Sequence, residues 1–249
     1  MTYSQNIEAE IVFFNKIAET GGHLDSFSEA GYRQIFHEIK KYIKGHILDA
    51  GCGTGAFGKR LRMLMPGSKL DGIDLNPAFV KASIKAKTYN SVRCGNLEDQ
   101  NLYRPEHFDT IVCPYLLHHL PDMHRAIDNF SNWLKPGGHL IIIDPNGSNL
   151  ILRLSYLFRM IISSVKKDND YGSVNEAHKT VREFTACMKN FQVIKITSFQ
   201  HSSVTVPTSF SWTFLGILGS IRRGLILGYK LIPGIKYPDS DLIIIARKK

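Results

Sequence analysis

The residues best suited to chemistry lie between positions 48 and 58, where several glycines follow a short apolar run. Gly53, Gly55 and Gly58 have the G-x-G-x-x-G spacing of a dinucleotide-binding loop, in which backbone amides at a helix start bind a pyrophosphate. Asp74 lies about twenty residues further on, where such a loop has its ribose ligand. The glycines therefore predict a nucleotide site but leave its ligand open.

Asp49 separates the possible ligands, because it lies inside the apolar run just before the glycines. A carboxylate at this position repels a pyrophosphate, whereas it can orient a cationic ammonium group through loop and water contacts. A cofactor that ends in an amino acid therefore fits this loop better than a dinucleotide does.

The same segment resembles the first motif of the class I S-adenosylmethionine-dependent methyltransferases, Asp/Glu-x-Gly-x-Gly-x-Gly. Its positions are occupied by Asp49, Gly51, Gly53 and Gly55. Further similar motifs follow in order, and they are Ile73-Asp74-Leu75-Asn76, Gly95-Asn96-Leu97, Phe108 to Cys113 with Leu117 to Pro121, and Leu134 to Gly138. These motifs cover residues 46–145 and are most similar to the small-molecule (type 11) subgroup that includes the quinone-biosynthesis methyltransferases.

This resemblance implies S-adenosylmethionine as the cofactor and assigns roles to the motif residues. Asp74 would hold both ribose hydroxyls, because two acceptor oxygens suit a vicinal diol. Asn96 stands in the adenine-binding turn, where the family often has Asp. The cofactor-binding residues that we expect are Asp49, Gly51, Cys52, Gly53, Gly55, Asp74, Leu75, Asn96, Leu97, Cys113 and Tyr115.

The loop after the fourth motif contains the candidate catalytic residues. Methyl transfer from a sulfonium is an in-line displacement, so positioning supplies much of the acceleration. An alcohol acceptor also benefits from a general base, for which His118 and His119 are the candidates, with capping or packing as the alternative role. Tyr115 either lines the acceptor site or packs against the cofactor.

Two other chemistries are disfavoured by the sequence. The segment Cys113-Pro114-Tyr115-Leu116 lacks the leading Asp or Asn with which the methyltransferases of DNA-base amines bind the target amine. Methylation of a base amine is therefore not expected. No His, Cys or Asp residues have the spacing of metal ligands, so we expect no metal site.

The positioning elements follow from apolar runs that alternate with amphipathic helices. Predicted strands lie at 46–50, 70–74, 91–94, 108–113 and 139–143, and predicted helices at 56–64, 77–85 and 123–134. Five such alternations predict a doubly wound, Rossmann-like α/β sheet. Strands at 192–198 and 242–246 would complete the seven strands that the resemblance implies, with the last one antiparallel.

We expect a single methyltransferase domain of three parts. Residues 1–45 are predicted to form two helices, which in many relatives close as a lid over the cofactor and acceptor. Residues 46–145 form the cofactor-binding core. Residues 146–249 form an acceptor-side part with an insertion at 199–240, and within it we predict helices at 150–167 and 175–189.

The positive charge is concentrated in the last hundred residues. The chain of 249 residues has 43% hydrophobic content and a net charge of +9, an average globular composition that excludes a disordered chain. Residues 150–249 hold 15 Lys/Arg and 6 Asp/Glu, which accounts for the whole excess. The basic apolar segments 150–167 and 210–231 suit an anionic membrane surface or a lipid-linked acceptor, or else they pack on the sheet.

The cysteines, the first 30 residues and the basic part of the chain together predict the cellular compartment of the protein and its kind of partner. The four cysteines form no C-x-x-C pair and the first 30 residues lack the pattern of a secretory signal, so we expect a cytoplasmic protein, peripheral on a membrane if the basic helices bind one. Nucleic acid is a disfavoured partner, because the basic part lacks the aromatic strands or repeats of a reading module.

These observations together predict an S-adenosylmethionine-dependent methyltransferase with a small, oxygen-bearing acceptor, anionic or lipid-linked. Two alternatives stay open: a methyltransferase of RNA or protein, and a methyltransferase-like pseudoenzyme that serves as a binding module. Intact Asp49, Gly51, Gly53 and Asp74 argue against the pseudoenzyme. The acceptor and the oligomeric state are left open.

Overall fold

Seven strands form one sheet in the computed structural model of the chain, which describes residues 3–19, 29–154, 175–199 and 235–249. The strands are β1 His46–Ala50, β2 Lys69–Asp74, β3 Ser91–Cys94, β4 Phe108–Pro114, β5 Leu134–Pro145, β6 Phe191–Phe199 and β7 Asp241–Lys248. Their order across the sheet is β3-β2-β1-β4-β5-β7-β6. The pairs from β3 to β5 are parallel, whereas β7 is antiparallel to both of its neighbours. This confirms the predicted sheet with its antiparallel last strand.

Helices flank this sheet. They are α1 Tyr3–Glu19, α2 Glu29–Ile39, α3 Ala56–Leu64, α4 Pro77–Ala86, α5 Met123–Trp133 and α6 Val181–Cys187. Asn76 caps α4, because its side-chain oxygen accepts a hydrogen bond of 2.8 Å from the amide of Ala78, and Pro77 follows at the first helical position.

The helix predicted at 175–189 is wrong in its length. Thr180 and Glu183 form a capping box, in which each side chain accepts from the backbone amide of the other. Such a box satisfies the free amides of a first turn, so the helix begins after Thr180 and the residues before it are not helical.

The basic segments lie mostly outside the described residues. Of the helix predicted at 150–167, only 150–154 is described, and it is helical. The segment 210–231 and most of the insertion at 199–240 are not described. Within the described ranges, no helix combines the length and the apolar character needed to cross a membrane.

The sheet buries side chains on both faces. On one face, Ile111 and Ile142 pack with Phe130 and Trp133 of α5. On the other face, Ile141 packs in the cluster that also holds residues of α2 and α3. Because successive side chains of a strand point to opposite faces, the continuous apolar runs of β4 and β5 fill two cores. This rigid centre carries the loops at the carboxyl ends of the strands.

Candidate active site

A cavity of about 360 Å³ opens at the carboxyl ends of the central strands. It is lined by the loops that follow β1, β2, β3 and β4, and by α1 and Tyr32 of α2. The strand order reverses between β1 and β4, and open α/β sheets bind ligands at such a switch point. The fold therefore places most of the predicted residues around one space.

The glycine loop uses its amides within the protein. The donors are the backbone N–H groups of Gly51, Cys52, Gly53 and Gly55. The first two donate to the carbonyl oxygen of Ile73, each at 2.9 Å, the third donates to the carboxylate of Asp74 at 2.9 Å, and the fourth donates to the carbonyl of Cys52. These four amides are therefore engaged within the protein and are not free to bind a pyrophosphate.

Asp74 lies at the end of β2, in the cavity wall. Its Oδ2 accepts from the amide of Gly53, and its Oδ1 accepts from the amide of Asn76 at 2.8 Å. Burial raises the pKa of Asp74, and these backbone amides oppose the shift. Each carboxylate oxygen retains a second lone pair, so both can accept from a diol while they hold the loop.

Three of the predicted cofactor-binding residues do not form the wall of the cavity, as far as the described residues define it: Asp49, Gly55 and Cys113. Cys113 is fully buried in the core, and burial raises the pKa of its thiol. Its side chain therefore contributes packing rather than a contact with the cavity. Gly51, Cys52, Gly53, Leu75, Asn96, Leu97 and Tyr115 do line the cavity, together with Asp74.

Asp49 is fully buried beneath the glycine loop. Its Oδ2 accepts a hydrogen bond of 2.7 Å from the hydroxyl of Tyr89, and its Oδ1 has no partner among the described residues. Burial raises the pKa of Asp49 to about 7, the bond from Tyr89 lowers it, and the charge of Asp74 raises it. The carboxylate therefore costs stability whenever it is ionised.

We expect Asp49→Asn to stabilise the protein in a pH-dependent way. The pKa of Asp49 is raised from its ordinary value of 3.8 to about 7, so the stability that its protonated form contributes is lost as the pH rises between these values. The neutral amide of the variant avoids this loss. The difference in free energy of unfolding between the variant and the wild type should therefore grow from pH 4 to pH 7 and stay constant above pH 7. Urea unfolding of both proteins at pH 5 and pH 8 measures it. An equal difference at the two pH values would contradict the buried, titrating carboxyl.

Helix α1 lines the cavity and hydrogen-bonds to the loops after β2 and β3 and to residue 175. Tyr3 hydrogen-bonds to Glu98 and accepts from the Asn96 side chain, beside the turn after β3. Asn15 accepts from Asn76 at 2.9 Å. On the far side, Glu10 accepts from the amide of residue 175 at 3.0 Å. These bonds tie one helix to the loops that the family motifs occupy.

The structure gives His118 and His119 different surroundings. His118 is buried in the cavity wall, and its Nδ1 lies 2.7 Å from Oδ1 of Asp144 at the end of β5. Burial lowers the pKa of His118, but the charge and hydrogen bond of Asp144 outweigh this and raise it above its ordinary value. Because the carboxylate accepts from Nδ1–H, the other ring nitrogen, Nε2, is left to take a proton.

His119 also lines the cavity, but its ring contacts α1. Its ring packs edge-on against Phe14 at a centroid distance of 5.2 Å, and its Nδ1 lies 3.8 Å from Oε2 of Glu10. Burial holds the pKa of His119 well below its ordinary value, with His118 and His178 adding to the shift. His119 is therefore a neutral ring at the contact between helix and loop.

Sequence reasoning missed Asp144, Glu10 and Tyr89. Asp144 had a usable signal, because it ends an apolar strand at the same edge of the sheet as the histidines. Glu10 and Tyr89 lie in a helix and in a loop with no motif spacing, and only the fold brings them to the site. Tyr115 turns its hydroxyl to Asp241 of β7 while it lines the cavity.

One group of potential metal ligands occurs in the described part of the chain, although the sequence spacing indicated none. His46, Asp71 and His107 lie on the sheet and on the turn before β4, with ligand atoms within 4.8 Å of one another. His46 Nε2 lies only 2.6 Å from Asp71 Oδ2, whereas two ligands of a tetrahedral zinc are about 3.4 Å apart. Arg104 also donates to Nδ1 of His107. These contacts are those of a hydrogen-bonded group.

Comparison with known proteins agrees with this geometry. Residues 48–140 match the family described as a methyltransferase domain. The chain is 34% identical over 100 residues to a ubiquinone biosynthesis O-methyltransferase of Xanthomonas euvesicatoria pv. vesicatoria, a match that covers 39% of this chain and 41% of that protein. It is 32% identical over 157 residues to the Coxiella burnetii protein of the same name, covering 56% and 64%. The chain thus spans less than two thirds of these relatives.

Solved structures share the fold. A methyltransferase in complex with the Haloferax volcanii activator Trm112 superposes with a TM-score of 0.65 at 15% identity, over 95% of both chains. An S-adenosylmethionine-dependent methyltransferase of Archaeoglobus fulgidus superposes with a TM-score of 0.56 at 17% identity, over 87% of this chain and 94% of that one. The architecture is thus the class I methyltransferase fold. Residues 48–140 match a methyltransferase domain within this fold, and the chain is similar to S-adenosylmethionine-dependent methyltransferases.

The cavity fits the cofactor of that family. Asp74 presents two acceptor oxygens, as a ribose diol requires. Beside Gly53, a Cβ atom would meet nothing within 4 Å, so the loop leaves room for a ligand to approach its backbone. The buried charge of Asp49 lies below the loop, and Leu97 supplies an apolar surface in the wall. S-adenosylmethionine needs acceptors for its ribose diol, room beside the loop backbone, a negative charge near its ammonium group and an apolar surface in the wall. The cavity has each of these features.

Proposed function

We propose that the protein transfers the methyl group of S-adenosylmethionine to a hydroxyl group of a small acceptor with an apolar body. The observation that carries this proposal is His118, which lies in the wall of a cavity with mostly apolar lining and is paired with the buried Asp144. A hydroxyl acceptor is the kind of nucleophile that gains from such a pair, since it ionises poorly at neutral pH.

His118 is the proposed general base. Asp144 accepts from Nδ1–H and so keeps the imidazole in the tautomer whose Nε2 lacks a proton. Nε2 would take the proton of the acceptor hydroxyl as the hydroxyl oxygen bonds to the methyl carbon, and the carbon–sulfur bond would break to leave a neutral thioether. When bound, S-adenosylmethionine supplies that methyl group on a sulfonium, an electrophile that needs no further activation.

Apolar side chains define the acceptor class. Ile7, Ile11 and Phe14 of α1 line the cavity together with Phe79 of α4. The ring of Phe14 lies 5.9 Å from that of Phe79, in an edge-on arrangement. These surfaces favour an aromatic or aliphatic body that bears the hydroxyl. The names of the ubiquinone O-methyltransferase relatives support an oxygen acceptor. We also propose that the apolar body of the acceptor is lipid-linked.

Helix α1 is the proposed lid, whereas α2, which was expected to share this role, packs its buried residues into the core beside the sheet. Because α1 touches the loops after β2 and β3 as well as residue 175, its closure would exclude water and order both halves of the cavity together. His119 is the proposed anchor of this lid, through Phe14 and Glu10.

Two calorimetric titrations and one methyl-transfer assay test the proposal. Calorimetry with S-adenosylhomocysteine is expected to give micromolar binding, and NAD is expected to give none. Transfer of labelled methyl from S-adenosylmethionine to a panel of simple phenols, with the matched anilines as control acceptors, then tests the oxygen preference. Binding of NAD alone, or labelling of the anilines alone, would refute the proposed function.

A further inference from the structure

Tyr89 occupies the space that three glycines leave open. It lies in the loop between α4 and β3, and its ring passes Gly55, Gly58 and Gly72. A Cβ atom built on Gly58 would lie 2.0 Å from the Tyr89 hydroxyl oxygen, and one on Gly72 would lie 3.2 Å from its Cδ1. Gly58 and Gly72 have no left-handed φ angle, so close approach of side chains, rather than backbone conformation, explains both glycines. The Tyr89 ring is the neighbour of Gly58, and Cys52 Sγ at 3.0 Å adds to this ring at Gly72.

The loop that carries Tyr89 is fastened to its surroundings. Asn90 accepts from the amide of Leu70 at 2.8 Å and donates its own amide to the Leu70 carbonyl at 2.7 Å. Arg62 of α3 donates to the Asn90 side chain at 2.8 Å and to the carbonyl of Thr88 at 3.2 Å. The residues on both sides of Tyr89 are therefore held, which fixes the place of its ring.

The hydroxyl group of Tyr89 contacts Asp49, the acidic residue of the first motif. The Tyr89 hydroxyl donates to Oδ2 of Asp49 at 2.7 Å, and Oδ1 has no partner among the described residues. The titratable groups that face Asp49 are Tyr89, Asp74, Cys52 and Cys113. None of these is a cation, so the tyrosine hydroxyl is the group that favours the charged carboxylate.

We propose that Tyr89 is a positioning residue for the cofactor, because it holds the Asp49 carboxylate by one oxygen and leaves the charge of the other beneath the glycine loop for an ammonium group. This inference rests on the proposed function, since the ammonium group belongs to S-adenosylmethionine. It also gives Gly58 a role that the dinucleotide spacing did not predict, which is to make room for the tyrosine.

The expected effect of Tyr89→Phe is a pH-dependent loss of affinity. Without the hydroxyl, the pKa of Asp49 rises above its value of about 7, and more of the carboxyl is protonated at neutral pH. Calorimetry with S-adenosylhomocysteine between pH 6 and pH 8.5 should show binding weakened about tenfold at pH 7 and largely restored at pH 8.5. Asp49→Asn should bind weakly at every pH.

Matched variants separate positioning from general damage. Tyr103→Phe removes another mostly buried hydroxyl, one with no hydrogen-bond partner among the described residues, and should leave affinity unchanged. Gly58→Ala should reproduce Tyr89→Phe by displacing the ring, whereas Gly67→Ala, where a Cβ meets nothing within 4 Å, should not. Equal loss of affinity at every pH in Tyr89→Phe would overturn the proposal.

A measurement on the free protein distinguishes this inference from the proposed function. Carbon-13 NMR of labelled aspartate carboxyls follows the titration of Asp49 without any ligand. The midpoint should move to higher pH in Tyr89→Phe and stay in place in Tyr103→Phe. An unmoved midpoint in Tyr89→Phe refutes the role of Tyr89, while a wild-type protein that titrates as expected but binds no S-adenosylhomocysteine refutes the proposed function instead.

Discussion

Asp74→Ala is expected to weaken binding of S-adenosylhomocysteine by about a hundredfold. Two hydrogen bonds from ribose hydroxyls to a carboxylate contribute about 1.5 kcal/mol each at the low end for charged groups, which together correspond to that factor. The same substitution also frees the amides of Gly53 and Asn76, which Asp74 holds at 2.9 and 2.8 Å. Calorimetric titration measures the loss.

Two controls make this result specific. Asp74→Asn keeps one acceptor oxygen and should lose less affinity than the alanine variant. Asp128→Ala removes the same charge from the exposed side of α5 and should bind as the wild type does. Unchanged affinity in Asp74→Ala, with the fold intact by circular dichroism, would show that Asp74 is not the ribose ligand.

His118→Gln is expected to lower kcat by about a hundredfold or more, within the range of general acid–base catalysis, with little change in cofactor affinity. Asp144→Asn should lower kcat as well, but with a signature of its own. Because Asp144 raises the pKa of His118 and a base must be unprotonated, kcat should rise with pH through that pKa. Removing the negative charge lowers the pKa, so in Asp144→Asn this rise should move to lower pH.

The neighbouring histidine provides the comparison. His119→Gln should raise KM more than it lowers kcat, because His119 contacts α1 rather than the proposed path of the proton. His37→Gln changes an exposed histidine of α2 and should leave both constants unchanged. If His118→Gln retains full turnover across the pH range, the general-base role is excluded and positioning alone must account for the rate.

The fold could be predicted because its signals are local. Apolar runs of five to seven residues, glycine or proline stops and the Asn76-Pro77 start each act within a few residues, and they placed β1, α3 and α4 within one residue of the structure. The helix at 175–189 was predicted too long, because the Thr180 and Glu183 capping box begins a short helix inside a polar stretch without strong periodicity.

The sequence by itself was enough to predict the strands of the sheet, the position of the glycine loop and Asp74 as a candidate ligand. Each of these predictions depends on residue types at fixed short spacing. Only the tertiary structure decided how the amides of the loop are used, because the acceptors for Gly51, Cys52 and Gly53 lie on β2, more than twenty residues away. It also decided between two adjacent histidines: His118 meets Asp144 across 26 residues, whereas His119 meets α1. Contacts between distant residues depend on how strands and helices pack, and one sequence contains no periodic signal of that packing.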